Sequence, residues 1–561
     1  MDNQRLLTWA FFGLMGWITY QTWVQDYTPQ PVAATTQQVE QQEMPVDDDS
    51  GDLPELSASD DASLDAPMPI GDEAPEVTAA PAAPTIRVTT DVLDIEISTD
   101  GGTLQSARLL AYPVAKDQPD MLVQLLSTDP SNLGLIRTGL RTVEEGNRPN
   151  YKKHFSSSAD SYDLGSADEL VVMLSRPGVD GISVEKRLRF RRGSYAIEID
   201  HEITNRSEGL WRGAEYAQIV RVSKEQERSM FDVDSYSFAG PIVFDGEKSE
   251  KLKRGDLLDD GAYDFKSQTG WIGSIQHHFL SAVVPTRETE QSYRVSVRGD
   301  RATSSITGQA QSVAPGTSRV FSTTTFVGPK MQSQLKEIDK KLTLTVDYGW
   351  LTIISNPLFM LLGFVFKYVG NWGVAIILVT FLIKLAFYKL TESSGRSMAK
   401  MRSLQPRMKA MQDRYKDDKP ALSAAMMELY KREKVNPAAG CLPILIQMPF
   451  FLAFYWVLLE SVEMRQAPFA LWITDLSTKD PYFILPLIMG AAMFMQQKLN
   501  PAPADPVQAK VMQIMPVMFT AFFAFFPSGL VLYWVTNTLL SIAQQWKINK
   551  VVEQEDKAKK H

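Results

Sequence analysis

One side chain stands where its surroundings disfavour it. In GVAIILVTFLIKLAFYKL, residues 373–390, Lys384 follows an apolar run interrupted only by Thr380. An ionisable group at membrane depth costs roughly a few kcal/mol, so it needs water or a partner. Thr380 lies four residues earlier, on the same helical face. Position alone leaves two readings of Lys384. Its long stem reaches the nearby headgroups, or its ammonium faces a polar, water-filled cavity. Other apolar segments also carry polar groups: Gln447 between Pro443 and Pro449, Gln496 and Gln497, Gln513, and then Tyr533, Thr536 and Asn537. No acidic residue lies well inside any of these segments. That counts against a proton relay or a carboxylate-lined cation path, and a lone positive charge suits an acidic guest.

Motifs for covalent or metal chemistry are missing. The chain has no P-loop, HExxH, GxSxG or CxxC sequence, so nothing argues for an ATPase, a metalloprotease or a serine hydrolase. It is expected to be no enzyme, and to need no cofactor and no metal. The single cysteine, Cys441, cannot form an intramolecular disulfide and reads as a small apolar helix residue. His277 and His278 read as strand residues rather than metal ligands. The net charge of −9 averages an acidic front, including DDDSGDLPELSASDD at 47–61, with a basic second half.

The elements that must position these groups fall into two kinds. Residues 1–24 read as an uncleaved N-terminal signal-anchor span, with tryptophans at 9, 17 and 23. Residues 25–84, rich in Pro, Ala and acids, read as a disordered linker. Short alternating or β-branched runs such as SYAIEIDHEITN (194–205) and VFSTTTFVGP (320–329) predict a large antiparallel β-sandwich over 85–330. Residues 331–368 read as a connector and an interfacial amphipathic helix, because Ser-Asn-Pro breaks the apolar stretch. Spans are expected at 369–390, 437–459, 481–497, 511–526 and 527–546, which with the anchor makes six. Between them lie a helical hairpin at 391–436, with arms at about 391–416 and 420–434, and loops at 460–480 and 498–510. A basic tail, 547–561, follows. Met398, Met401, Met408, Met411, Met426 and Met427 give the hairpin either an adaptable apolar surface or its own packing.

Charge orients the spans. Residues 389–434 hold twelve Lys/Arg against six Asp/Glu, whereas 460–480 holds two against four. The positive-inside rule puts the hairpin, the 498–510 loop and the tail in the cytoplasm, and 25–349 and 460–480 outside. Both termini are then cytoplasmic.

Several long stretches resemble the YidC/Oxa/Alb membrane insertase family: NWGVAIILVTFLIK (371–384), SMAKMRSLQPRMKAM (397–411), ELYKREKVNPAAGCLPILIQMPFFLAFYWVL (428–458), RQAPFALWITDLSTKDPYFILP (465–486) and FPSGLVLYWVTN (526–537). The match covers about 340–546, and the front half is similar to the Gram-negative form. The resemblance implies a multi-pass inner-membrane protein. Five of its spans form the insertase core, and the β domain is a periplasmic super-sandwich. It implies an insertase and chaperone for nascent inner-membrane proteins, working alone or with the Sec translocon, without its own nucleotide hydrolysis. It further implies a hydrophilic groove open to cytoplasm and lipid, with one positive charge at Lys384 and lining positions Thr380, Tyr533 and Trp534. Gln447 is added from its polar placement. The family commonly has Arg where this chain has Lys384, which keeps the charge but loses the planar fork of donors. The remaining expected partners are membrane lipids and, through the basic tail, the ribosome; no nucleic acid is expected to be recognised directly.

Overall fold

The computed structural model describes residues 84–558, apart from 117, 143–152, 224–236, 288, 416–417, 434–441 and 500–505. The signal-anchor span, nearly all of the linker, Cys441 and the last residues of the tail therefore lie outside the described residues.

Alternation in the front half folds as expected. In Ala196–Asn205, Ile197, Ile199, His201 and Ile203 point inward and the residues between them point outward. The outward Glu198 pairs with Arg189 at 2.8 Å and Arg191 at 2.7 Å on the neighbouring strand, Ile182–Arg191. Among the described residues, the strands form two sheets, of eleven and nine strands. Their inner faces share one core, with the buried Trp271 stacked on Phe244 at 5.9 Å. Among the described strands, all pairings are antiparallel except that of Thr85–Thr89 with Ser161–Asp163. Lys186 is also turned inward. Its Nζ donates to Gly101 O, Gly102 O and Thr138 O at 3.0, 2.8 and 3.1 Å.

Among the described residues, two short helices accompany the sandwich, α1 (Arg254–Asp259) and α2 (Gln332–Ile338). The helical half contains α3 (Thr352–Val369), α4 (Trp372–Ala386), α5 (Tyr388–Ser403), α6 (Gln405–Arg414), α7 (Lys419–Arg432), α8 (Leu442–Glu460), α9 (Ile484–Leu499), α10 (Pro506–Phe523) and α11 (Ser528–Ala558).

Four expectations are corrected. Ser-Asn-Pro does not break the chain: Pro357 lies inside α3, and Ser355 Oγ donates to Ala453 O at 3.2 Å on α8. Residues 349–369 are long and apolar enough to cross a membrane, by length and composition alone. The helix expected as the first core span ends at Ala386 rather than at 390, and the chain bends by 69° into α5. The hairpin has three helices rather than two, because Pro406, in the first turn of α6, has no N–H to offer the Arg402 carbonyl and so ends α5. The tail is no separate segment, since the 31-residue α11 runs through residue 546 and on to Ala558.

The α-helical half and the sandwich meet along a polar seam. Lys330 Nζ donates to Glu460 Oε2 at 3.1 Å, with side chains 1 % and 9 % exposed. Beside this pair, His277 Nε2 lies 3.2 Å from Leu459 O, and Tyr348 Oη lies 3.3 Å from Ser461 Oγ. Lys116 Nζ donates to Thr474 O at 2.6 Å, and Gln466 Nε2 to Pro113 O at 2.8 Å. His277 and His278 are thus seam residues rather than ordinary strand residues. Their rings stack at 3.7 Å, His277 has a left-handed φ of 47°, and burial holds the His278 imidazole well below its usual range.

Candidate functional site

Three helices bring the polar positions together. Asn371 caps the start of α4, its Oδ1 accepting from Val374 N at 3.0 Å. Its amide donates to Phe469 O at 2.9 Å, which ties α4 to the 460–480 loop. Gly373 is required there, since a Cβ would stand 2.1 Å from the Phe469 ring. With its start fixed, α4 buries Ala375, Ile376, Val379, Thr380 and Lys384 along one side.

Thr380 is 1 % exposed and turns its hydroxyl back to Ile376 O at 2.6 Å, so its proton is used within the helix. Lys384, one turn further, is 8 % exposed. Its Nζ donates to Ser541 Oγ on α11 at 2.8 Å. The ammonium thus points into the bundle, not outward along the helix surface. Phe387, after Lys384, meets Phe450 edge-on at 5.1 Å, which sets the end of α4 against α8 near Gln447. Gln447 is half-buried on α8.

Tyr533 and Trp534 sit on α11 against α8. The Tyr533 ring stacks on Phe454 at 4.4 Å and is buried. Trp534 is half-buried and meets Phe451 edge-on at 4.7 Å and Phe523 at 5.3 Å. Lys384 and Thr380 therefore share α4, Gln447 sits on α8, and the two aromatic residues join α8 to α11. Tyr533 lies eight residues before Ser541, which places it about 12 Å further along the helix axis. The polar positions form a column rather than a single cluster. The hydrogen bond connects Lys384 to Ser541 and not to Tyr533.

Ser541 was not among the sequence candidates, nor were Phe451 and Phe454. A signal existed for the serine: Tyr533, Asn537 and Ser541 recur every four residues and so fall on one face of a helix. No sequence pattern shows which aromatic residues of α8 meet α11.

Among the described residues, Met408 with Leu404 and Leu429 forms the core of the α5–α7 region, with Met401, Met411, Met426 and Tyr430 packed against it. Met427 stays exposed. Most of these methionines therefore serve the packing of the hairpin itself. The extended α11 holds the hairpin's base: Ile548 and Val552 pack on Ala399, and Arg396 Nη1 reaches Glu555 Oε1 at 2.9 Å.

Comparison with known proteins gives a consistent picture. Residues 85–361 match the family model described as YidC periplasmic domain, and residues 364–556 match that described as 60Kd inner membrane protein. A protein named membrane protein insertase YidC from Thioalkalivibrio sulfidiphilus is 46 % identical over 99 % of this chain and 100 % of its own length. One of the same name from Nitrosococcus oceani is 44 % identical over 99 % and 100 %. Among solved structures, an active YidC insertase crystal structure with the first transmembrane domain resolved aligns with a TM-score of 0.37 at 18 % identity. That alignment covers 83 % of this chain and 92 % of the other.

Proposed function

We propose how this chain, which belongs to the YidC family of membrane protein insertases, carries out insertion. It is a membrane protein insertase of the inner membrane with a periplasmic domain, and its work is binding and transfer rather than covalent catalysis. A short client segment enters from the cytoplasm between α4, α8 and α11. Its acidic residues are attracted to Lys384, the one basic residue in α4. Thr380, Gln447, Tyr533 and Trp534 line the client's path, and polar surroundings lower the cost of moving polar groups part-way across. The apolar client helix then leaves sideways into lipid, driven by burial of its apolar surface.

The observation that carries this reading is the inward course of Lys384, with its ammonium on α11 rather than at the helix surface. Short helices support it. The 15 residues of α4 span about 22 Å at 1.5 Å each, against a hydrocarbon core of about 30 Å. A bilayer thinned around such helices leaves less distance to cross.

The wider assignments belong to the same proposal. Six spans with cytoplasmic termini follow from the basic hairpin and tail. The α3 helix and the turn before it lie in the outer interface, with Trp350 in the turn and Ile353, Met360 and Phe364 on the helix turned outward. The Sec translocon and the ribosome are partners, the latter through the lysines at the end of α11.

The test is insertion of a small, weakly hydrophobic, acidic-tailed client into liposomes by the full-length protein. Lys384→Arg is expected to retain insertion and Lys384→Glu to abolish it. Lys384→Ala is expected to fail in proportion to client acidity. Equal insertion by all four proteins refutes the role of the charge.

A further inference from the structure

We infer that Ser541 is a positioning residue for insertion. It holds the Lys384 ammonium inside the bundle, and an acidic client segment must take its place. The inference rests on Lys384 being the charge that meets the client.

Hydrogen-bond direction carries the first step. Ser541 Oγ donates its only proton to Asn537 O at 2.7 Å. A lone pair is left to accept from Lys384 Nζ at 2.8 Å. The hydroxyl is therefore a fixed acceptor aimed at the ammonium.

The second step is the hold of α11 on the bend after α4. One turn beyond Ser541, Gln544 Nε2 donates to Tyr388 O at 3.3 Å. Lys384 and Tyr388 flank the break between α4 and α5, so α11 grips that break on both sides.

Competition between acceptors is the third step. With Lys384 only 8 % exposed, the ammonium must swing out of the bundle to meet a client carboxylate, and the bond to Ser541 holds it back. A carboxylate accepts a hydrogen bond roughly twice as strong as a neutral oxygen does. It displaces the serine, whereas a neutral client segment gains nothing by doing so. Ser541 thus sets how acidic a client must be, and it is a specificity determinant that acts through Lys384.

The experiment uses the full-length protein in liposomes and two synthetic clients with one apolar segment. One client carries aspartates in its tail and the other carries asparagines. Ser541→Ala is expected to speed the acidic client several-fold and leave the neutral one unchanged. Ser541→Thr, which keeps the hydroxyl, is expected to behave as wild type. Ser541→Asp is expected to slow the acidic client about tenfold or more, because a fixed carboxylate then occupies the ammonium. The effect of Ser541→Ala is expected to vanish when Lys384→Ala is also present. If Lys384→Ala alone inserts both clients like wild type, the reading of Lys384 falls and this inference falls with it. If Lys384→Ala discriminates between clients while Ser541→Ala and Ser541→Asp match wild type, the inference alone is overturned. It is likewise overturned if the effect of Ser541→Ala survives the loss of Lys384, which assigns the serine a packing role.

Discussion

Lys186 and Lys384 are both buried, and their ammonium groups are held differently. Lys186 donates to three backbone carbonyls inside the sandwich and has no place to go. The bond that the structure gives Lys384 is to one serine hydroxyl, an acceptor that a carboxylate can outcompete. Burial alone pushes the Lys186 amine down to about 7. A base whose folded value lies below its unfolded one of 10.5 binds fewer protons folded than unfolded between those limits. The destabilisation is complete below about pH 7 and is relieved as pH rises from there towards 10.5. Thermal unfolding of the sandwich in the full-length protein should therefore gain stability between pH 7 and pH 9, by up to about 1.4 kcal/mol per pH unit. Lys186→Met should remove that slope relative to wild type. An unchanged slope in the variant assigns the pH dependence to other groups.

Helix length against bilayer thickness organises the elements. At 31 residues, α11 measures about 46 Å, well beyond the hydrocarbon core. Its far end leaves the bundle and packs closely on α5, where a Cβ on Gly395 would stand 2.7 Å from Ile548 Cδ1. Ile548→Asp puts a carboxylate into that contact, and the burial penalty should detach α5 from α11. Spin labels on the two helices should report a longer and broader distance, with α4 and Lys384 undisturbed. Close packing also joins α9 to α10. A Cβ on Gly490 would stand 2.0 Å from Thr520 Oγ1. Gly490→Val should cost about 1–3 kcal/mol by overpacking, read as a lower unfolding temperature in detergent.

At the scale of the whole molecule, the seam decides whether the sandwich and the helices move as one. Removing one partner of a buried ion pair leaves an uncompensated charge and costs about 3–5 kcal/mol. Lys330→Met should therefore loosen the sandwich from the end of α8, and the exchange Lys330→Glu with Glu460→Lys should restore much of the attachment. Distances between labels on the sandwich and on the 460–480 loop check both outcomes. Burial pushes the nearby Glu463 carboxyl up to about 7, with backbone N–H groups of Glu463 and Gln332 and the charge of Lys330 opposing the shift. An acid whose folded value is raised contributes stability that is complete below about pH 4.5 and lost as pH rises through about 7. The seam should loosen between pH 5 and pH 8, and Glu463→Gln should flatten that dependence.

Residue order alone reveals the kinds of element and the odd residue among them. Alternating strands, apolar runs and the basic hairpin follow from period and charge, which are local properties of the chain. Lys384 was visible because a charge within an apolar run is conspicuous whatever surrounds it. The long stretches that resemble known insertases were legible for the same reason, as residues in order. Where the side chains meet depends on how the chain folds. Ser541 lies 157 residues from Lys384, and Glu460 lies 130 from Lys330, so no local pattern pairs them. The bend after Ala386 and the continuation of α11 past residue 546 were hidden too. Tyr388–Ser403 has helix-permissive residues throughout, and the tail has good helix formers with Ile548 and Val552 one turn apart. Propensity therefore permitted several outcomes there. The docking of α11 on α5 selected one, because burying Ile548 and Val552 on Ala399 stabilises the continued helix, which charge and composition alone cannot specify.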